Sequence, residues 1–69
     1  MKLEHGKRYV TRGGWITQPV THFPNYLNYP FLIEASDYTY SVTSEGFYAF
    51  DKHPNNLDLV AEYDDTQAG

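Results

Sequence analysis

Two arginines and a tryptophan near the start of the chain form the pattern with the most specific chemistry. Arg8, Arg12 and Trp15 have the spacing of residues that share one face of a short two-stranded hairpin. An indole flanked by two guanidinium groups can stack on a nucleobase and pair with its phosphate, or it can bind an acidic patch on a protein. The structural alternative is that arginine over tryptophan merely covers an exposed strand face. The pattern predicts a binding surface for a small ligand or partner.

A second candidate surface is a cluster of aromatic residues around two prolines, made up of Phe23, Tyr26, Tyr29 and Phe31. Phe23, Tyr26 and Tyr29 lie among Pro24, Asn25, Asn28 and Pro30, in a stretch that has no sustained period and that we interpret as a loop. Rings of this kind often lie at the centres of protein interfaces. They can equally complete an undersized core, so the pattern leaves open whether the stretch Thr21–Asn28 is core cover or interface.

No pattern in the sequence predicts catalysis, a metal or a cofactor. The chain lacks cysteine and a G-x-S-x-G motif, and its serines fall in or beside turns or on a solvent-facing strand position. The residues that could bind a metal are scattered at spacings that match no known site; they are His5, His22, His53, Asp51 and Asp58. We therefore expect a protein that binds its target without turnover.

Composition predicts one small domain over residues 1–69. Chains of this length bury only about 60% of their unfolded surface, and the sequence has no disulfide to compensate. Twelve aromatic rings, from seven Tyr, four Phe and one Trp, supply most of the large apolar side chains. They are too many for so small an interior, so we expect some to remain outside and to mark a docking surface.

Charge and hydropathy narrow the choice of partner and compartment. The net charge of −4 would repel nucleic-acid phosphates, so binding to long nucleic acids is not expected. No apolar run is long enough for a membrane span or a signal peptide, which predicts a soluble intracellular protein. Basic residues crowd the first dozen positions and acidic residues crowd the end, including Asp58, Glu62 and Asp64. This predicts a basic and an acidic pole, unless folding brings the two together, with the acidic end as a solvated face.

Alternating and apolar segments separated by turn residues predict an all-β fold. Lys7–Arg12 and Trp15–Val20 fit a hairpin with a two-residue Gly13-Gly14 turn, which places Val10 opposite Thr17. Further strands are predicted at Phe31–Ala35, Tyr38–Thr43 (with Tyr38, Tyr40 and Val42 inward) and Phe47–Phe50.

Leu57–Tyr63 fits either a last strand or a short helix, and 64–69 is a polar tail that we expect to be frayed. Five to six short strands predict a small, strongly bent antiparallel sheet or a partly open SH3-like barrel.

Four segments together resemble a loose group of short proteins of tailed bacteriophages and prophages. They are GKRYVTRGGW, YPF, YTYSVTSEGFYAF and LDLVAEY, and they span nearly the whole chain. The resemblance implies a phage origin and a small β fold, and it carries over no catalytic residue. Short phage proteins of this kind are often accessory proteins that inhibit host defence, which implies stoichiometric binding in the host cytoplasm.

Three functions follow as hypotheses. The leading one is a non-catalytic phage accessory protein that sequesters a host macromolecule, with a host protein such as a defence-system component as the expected partner. The aromatic residues Phe23, Tyr26 and Tyr29 would be the anchor, and Arg8, Arg12 and Trp15 the polar rim. The alternative is a sponge that captures a small nucleotide signal between two copies of the chain. The third is a structural phage protein with no host target.

Overall fold

Five short β-strands form the framework of the chain. The computed structural model describes residues 1–35 and 37–64, and no helix occurs within them. The all-β prediction is therefore confirmed. The strands are β1 (Arg8–Thr11), β2 (Thr21–His22), β3 (Phe31–Glu34), β4 (Thr39–Val42) and β5 (Leu59–Tyr63).

The strands are arranged in two antiparallel sheets. β1 pairs with β5 in one sheet, and β3 lies between β2 and β4 in the other. Over the described ranges the strands do not close into a barrel. The segment Leu57–Tyr63, for which the sequence allowed a strand or a helix, contains strand β5. The predicted frayed tail over 64–69 falls, from residue 65 onward, outside the described residues.

One continuous segment, residues 15–22, connects the two sheets. Ile16 forms an isolated bridge with Val10 of β1, and the backbone N–H of Val20 donates to the Lys7 carbonyl over 2.9 Å. The next two residues form β2 in the other sheet. The prediction of a regular strand over Trp15–Val20 is thus wrong. Pro19 lacks an N–H, so a continuous ladder cannot form where the segment turns the corner.

The register of the first hairpin differs by one residue from the prediction. Val10 pairs with Ile16 rather than Thr17, and the Thr11 N–H donates to the Trp15 carbonyl over 2.7 Å. The turn therefore holds three residues, with Gly14 at φ 98°, as in hairpin loops that end in a left-handed glycine. Because side chains alternate, this shift moves Thr17 into the interior, where it is buried beside Tyr9.

Residues 47–50 do not form the strand that the sequence predicts. The turn before them is present, because Gly46 donates its N–H to the Thr43 carbonyl over 2.9 Å and has φ 97°. The pairing stops at Phe47, whose carbonyl accepts the Thr43 N–H. The next N–H, of Tyr48, donates instead to the Asp58 side chain. A side-chain acceptor thus replaces the strand ladder.

The core is small and draws on both sheets. Its buried apolar side chains are Leu3, Tyr9, Val20, Phe31, Ile33, Val42 and Leu59, with Tyr40 partly buried against them. Along β4 burial increases from the start to the end, so Val42 is fully buried and Tyr40 half-buried. Tyr38, predicted to face inward, is 51% exposed because it precedes β4 at the turn end of the β3–β4 hairpin, beyond the last pair Glu34–Thr39.

Folding brings the basic and acidic ends of the chain together. Arg8 and Tyr9 of β1 lie opposite Tyr63 and Glu62 of β5, and the Lys7 Nζ lies 3.0 Å from a Glu62 carboxylate oxygen. Separate charged poles therefore do not form. Within residues 1–35 and 37–64, no helix is long and apolar enough to cross a membrane.

Candidate functional site

Arg12, predicted as a binding residue, is held by a buried carboxylate. Its Nε and Nη2 atoms each lie 3.3 Å from Oδ2 of Asp58, whose side chain is only 1% exposed. The Arg12 N–H also donates to the Asp58 carbonyl over 2.8 Å. The prediction that Asp58 lies on a solvated face is wrong, because this carboxylate has partners that replace its water.

Asp58 also organises the loop that precedes β5. Its Oδ1 accepts the Tyr48 N–H over 2.8 Å, and its Oδ2 accepts the Asn55 N–H over 2.9 Å. Two backbone donors and one guanidinium therefore converge on a single carboxylate. Such charge-assisted bonds fix geometry strongly in a buried setting, so Asp58 and Arg12 have a structural task.

Arg8 lies away from Trp15, in a different cavity. Its Nε donates to the Thr17 carbonyl over 3.0 Å, and its guanidinium lies 5.2 Å from the centre of the Tyr63 ring. It lines a cavity of about 390 Å³ together with Lys7 and Glu62. The structure thus does not assemble Arg8, Arg12 and Trp15 into one site.

The cations around Arg8 are largely matched by acids. Lys7 Nζ lies 2.8 Å from a Glu4 oxygen and 3.0 Å from a Glu62 oxygen. The hydrogen bonds that the Lys7 ammonium donates to these two carboxylates raise the pKa of Lys7 above its usual range, and Lys7 in turn lowers the pKa of Glu4. This cavity therefore offers little unpaired positive charge for a phosphate.

Trp15 lines a larger groove of about 430 Å³ between the two sheets. We call it the aromatic groove and define it by the residues that supply its rings and its polar side chains, which are Trp15, Gln18, Glu34, Asp37, Tyr38 and Tyr40. Ligand sites typically occupy about 300–1,000 Å³ and combine apolar walls with a few polar groups. The aromatic groove has this composition.

The backbone of the first hairpin positions Trp15 at the groove. The Trp15 N–H donates to the Thr11 hydroxyl oxygen over 2.9 Å, which supplements the backbone bond between the same two residues. The indole lies against Gly13, where an added Cβ would collide with the ring. Gly13 is therefore required for space, whereas Gly14 supplies the left-handed conformation.

Two tyrosines line the groove together with Trp15. The rings of Tyr38 and Tyr40 have centroids 5.9 Å apart and planes inclined by 30°. The Tyr40 hydroxyl donates to the Leu57 carbonyl over 3.0 Å, and burial raises the pKa of this hydroxyl to about 12. Tyr40 is thus fixed and presents its ring, while Tyr38 is half-exposed at the groove edge.

The polar groups of the aromatic groove are acidic or neutral. Among residues 1–35 and 37–64, twelve line it, and none of these is a lysine, an arginine or a histidine. Glu34 and Asp37 contribute carboxylates, and both residues are exposed. Neither carboxylate forms an ion pair with another of the residues in 1–35 and 37–64. The groove therefore carries a local negative charge.

The hairpin between β2 and β3 carries a separate exposed surface at its tip. We call residues 23–30 the aromatic loop; Phe23 and Tyr26 are exposed there, and Leu27 is 92% exposed. The Phe23 and Tyr26 rings contact each other, with centroids 5.5 Å apart. The Phe23 N–H donates to the Pro30 carbonyl over 2.6 Å, so the base of the loop is closed.

The aromatic cluster divides between core and surface. Phe31 is buried and stacks on His22 at 4.6 Å between centroids, and Tyr29 is half-buried with its ring edge-on to Phe50 at 6.3 Å. Phe23 and Tyr26 remain outside. Phe31 and, in part, Tyr29 therefore serve as core cover, and the interface interpretation stays a prediction for Phe23 and Tyr26.

Of the residues that define the aromatic groove, the sequence pointed only to Trp15. Tyr38 and Tyr40 were assigned to the core, and Glu34 and Asp37 were not singled out. The available signal was the position of Tyr38 directly beside a turn, where an inward-facing position lies at the end of the sheet and is not covered. Their proximity to Trp15 depends on the packing of distant segments.

Within residues 1–35 and 37–64, no group of three or more His, Cys, Asp or Glu side chains is placed to hold a metal ion. Comparison with known proteins adds no assignment: neither a family model, nor a curated protein, nor a solved structure matches the chain.

Proposed function

We propose that this chain is a non-catalytic binding domain that captures another protein through its aromatic loop. The observation that carries this proposal is the exposure of Phe23, Tyr26 and Leu27 together at one hairpin tip. Six of the twelve rings in the chain are exposed, namely Trp15, Phe23, Tyr26, Tyr38, Tyr48 and Phe50. Leu27, at 92%, is the most exposed large apolar side chain in residues 1–35 and 37–64, and it lies in the loop beside two of these rings.

The loop has the properties of an interface anchor. Aromatic residues dominate the binding energy of protein interfaces, where burial of each ring removes a large apolar area from water. The loop base is tied by the Phe23–Pro30 hydrogen bond and by Tyr29 against Phe50. Ordering before binding lowers the entropic cost of association, which supports capture of a partner by this surface.

The resemblance to phage proteins makes a host protein the expected target, captured in the host cytoplasm, and a defence-system component is one such target. The nucleotide-sponge alternative has less support, because Arg12 is engaged by Asp58 and Arg8 lies in another cavity. The aromatic groove at Trp15 is acidic, which disfavours a phosphate.

A pulldown with matched variants tests the proposal. The tagged chain and its Phe23→Ala/Tyr26→Ala variant are incubated with host lysate, and bound proteins are identified by mass spectrometry. Val60→Ala serves as control, because Val60 is an exposed apolar residue on β5, outside the loop. We expect the parent chain and the control variant to capture the same host protein. The amount of this protein bound to the loop variant should be at least tenfold lower.

Two outcomes would contradict the proposal. One is equal capture by the parent chain and the loop variant, which would place the binding surface elsewhere. The other is a loop that only joins two copies of this chain, recognised because the loop variant changes the mass in analytical ultracentrifugation while no host protein is captured. Presence of the chain in purified phage particles would favour the structural alternative.

A further inference from the structure

We propose that the aromatic groove binds the guanidinium group of an arginine side chain. This site lies outside the aromatic loop. The inference rests on the proposed function in one respect, which is that the captured protein would supply the arginine. Trp15, Tyr38 and Tyr40 form its walls, and Glu34 and Asp37 provide the carboxylates.

The charge of the groove selects a cation. Its two carboxylates lack ion-pair partners within the described ranges, and its lining contains no basic side chain. Elsewhere in the described chain, acids such as Glu4, Glu62 and Asp58 are matched by a lysine or an arginine. The net charge of −4 further favours the approach of a cationic partner.

The rings of the groove are suited to a cation that is flat. Trp15 is 57% exposed and Tyr38 is 51% exposed, so both retain ring surface for a ligand. Tyr38 and Tyr40 are inclined by only 30° and form a shallow, nearly continuous wall. A cation over an aromatic face is attracted within about 6 Å of the ring centre, and tryptophan is the strongest partner.

A guanidinium satisfies rings and carboxylates at once. It is planar, so it can stack on the aromatic rings. Its N–H groups point outward in the plane of the guanidinium, where two of them can donate to the two oxygens of one carboxylate. A lysine ammonium is compact and strongly hydrated, and it cannot stack. A phosphate would face Glu34 and Asp37 without a compensating cation in the groove.

The single tryptophan provides a direct measurement, because the chain has only one. Trp15 fluorescence is titrated with a blocked Gly-Arg-Gly peptide, with the same peptide carrying citrulline, which is the neutral isostere of arginine, and with the lysine peptide. We expect saturable binding of the arginine peptide and at least tenfold weaker binding of the other two. Binding should weaken with added salt.

Matched variants separate the groove from general charge. Glu34→Gln/Asp37→Asn removes two carboxylates from the groove, and Glu45→Gln/Glu62→Gln removes two exposed carboxylates outside it. We expect at least a tenfold loss of arginine-peptide affinity with the first pair and less than a twofold change with the second. Tyr38→Leu should weaken binding about tenfold, and circular dichroism verifies that each variant is folded.

Several outcomes would overturn the assignment: no saturable response, equal affinity for the citrulline peptide, tighter binding of lysine, or displacement of the arginine peptide by adenosine monophosphate. A loss of equal size in both charge variants would also overturn it. The Phe23→Ala/Tyr26→Ala variant distinguishes the two proposals. It should lose capture of the host protein while retaining the arginine-peptide affinity, so either proposal can fail alone.

Discussion

Arg12 and Asp58 lie 46 residues apart in the sequence, yet the guanidinium of one is 3.3 Å from the carboxylate of the other. Asp58 is 1% exposed, whereas the Arg12 side chain is 43% exposed. The pair therefore joins the first hairpin to the loop before β5 at the boundary between core and solvent. Asp58 contributes more to stability than Arg12, because loss of the Asp58 carboxylate leaves buried N–H groups without an acceptor.

Replacement of Asp58 by alanine should destabilise the fold severely. The substitution leaves the N–H groups of Tyr48 and Asn55 without their acceptor and Arg12 without its counter-charge. Each buried N–H that loses its acceptor costs about 1–3 kcal/mol, and the two together are a large part of the stability of a small domain. Urea denaturation measures the change.

The exposed pair of Glu45 and Lys52, 3.6 Å apart, provides the control for that substitution. Exposed pairs contribute about 0–1 kcal/mol, so Glu45→Ala should have little effect. Equal effects of Asp58→Ala and Glu45→Ala would contradict the buried role of Asp58.

Two glycines with the same backbone conformation should respond differently to alanine. Gly14 and Gly46 have φ of 98° and 97°, so alanine is strained at both by about 1–2 kcal/mol. A Cβ at Gly14 would meet open space, whereas at Gly46 it would lie 2.9 Å from the Leu59 carbonyl oxygen. We expect Gly46→Ala to lower the free energy of unfolding clearly more than Gly14→Ala; thermal melts of the two variants measure the difference.

The sequence predicted three of the observed strands but not the chain's bends. β1, β3 and β4 lie within segments expected to be strands, because period-2 patterning and apolar runs are local properties, and β5 lies in the segment for which strand and helix were both open. β2 lies in the stretch expected to be a loop, and the strands expected over Trp15–Val20 and Phe47–Phe50 do not form. The hairpin register was missed because Gly13-Gly14 reads as a two-residue turn. Only Gly14 adopts positive φ, and Gly13 is small for a different reason, which is contact with the Trp15 ring.

The sequence could not show where the side chains of Arg8, Arg12 and Trp15 lie relative to one another, because their placement depends on distant partners. Asp58 lies in a polar, acidic stretch typical of a surface, and its burial follows from convergence of Arg12, Tyr48 and Asn55. Such convergence has no local pattern. The surplus of rings, by contrast, is a matter of number and size, and the exposure of six of them was predictable from composition.

Stability should fall at high pH through Tyr40. Burial raises the pKa of its hydroxyl to about 12, above the value of about 10 for an unfolded chain. The neutral form is favoured in the fold, so this contribution is complete below pH 10 and is lost as the pH rises through 12. Urea denaturation at several pH values measures the decline.

Tyr40→Phe isolates this contribution. The variant loses the hydrogen bond to the Leu57 carbonyl, so it should be less stable near neutral pH by about 1 kcal/mol. Its stability should then decline less steeply between pH 10 and 12 than that of the parent chain. The decline should not vanish, because burial also raises the pKa of Tyr9. If the stability of both chains declined equally with pH, the pKa of Tyr40 would not be raised in the folded state.

Thr17 distinguishes the observed hairpin register from the one expected from sequence. In the expected register, Thr17 shares an exposed face with Trp15, and valine would be tolerated there. In the structure, Thr17 is buried and its hydroxyl oxygen accepts the Tyr9 N–H over 3.1 Å. Valine has nearly the same shape but leaves that N–H unpaired in the core, which costs about 1–3 kcal/mol.

The matched control is Thr39→Val, since Thr39 is an exposed β-branched residue at the start of β4. Substitutions at such positions usually change stability by less than about 0.5 kcal/mol. Urea denaturation of both variants should therefore show a loss for Thr17→Val alone. Small losses of similar size in the two variants would contradict this register. They would indicate that Thr17 is exposed and that the turn has two residues. The three-residue loop, which places Trp15 in the aromatic groove, would then be wrong.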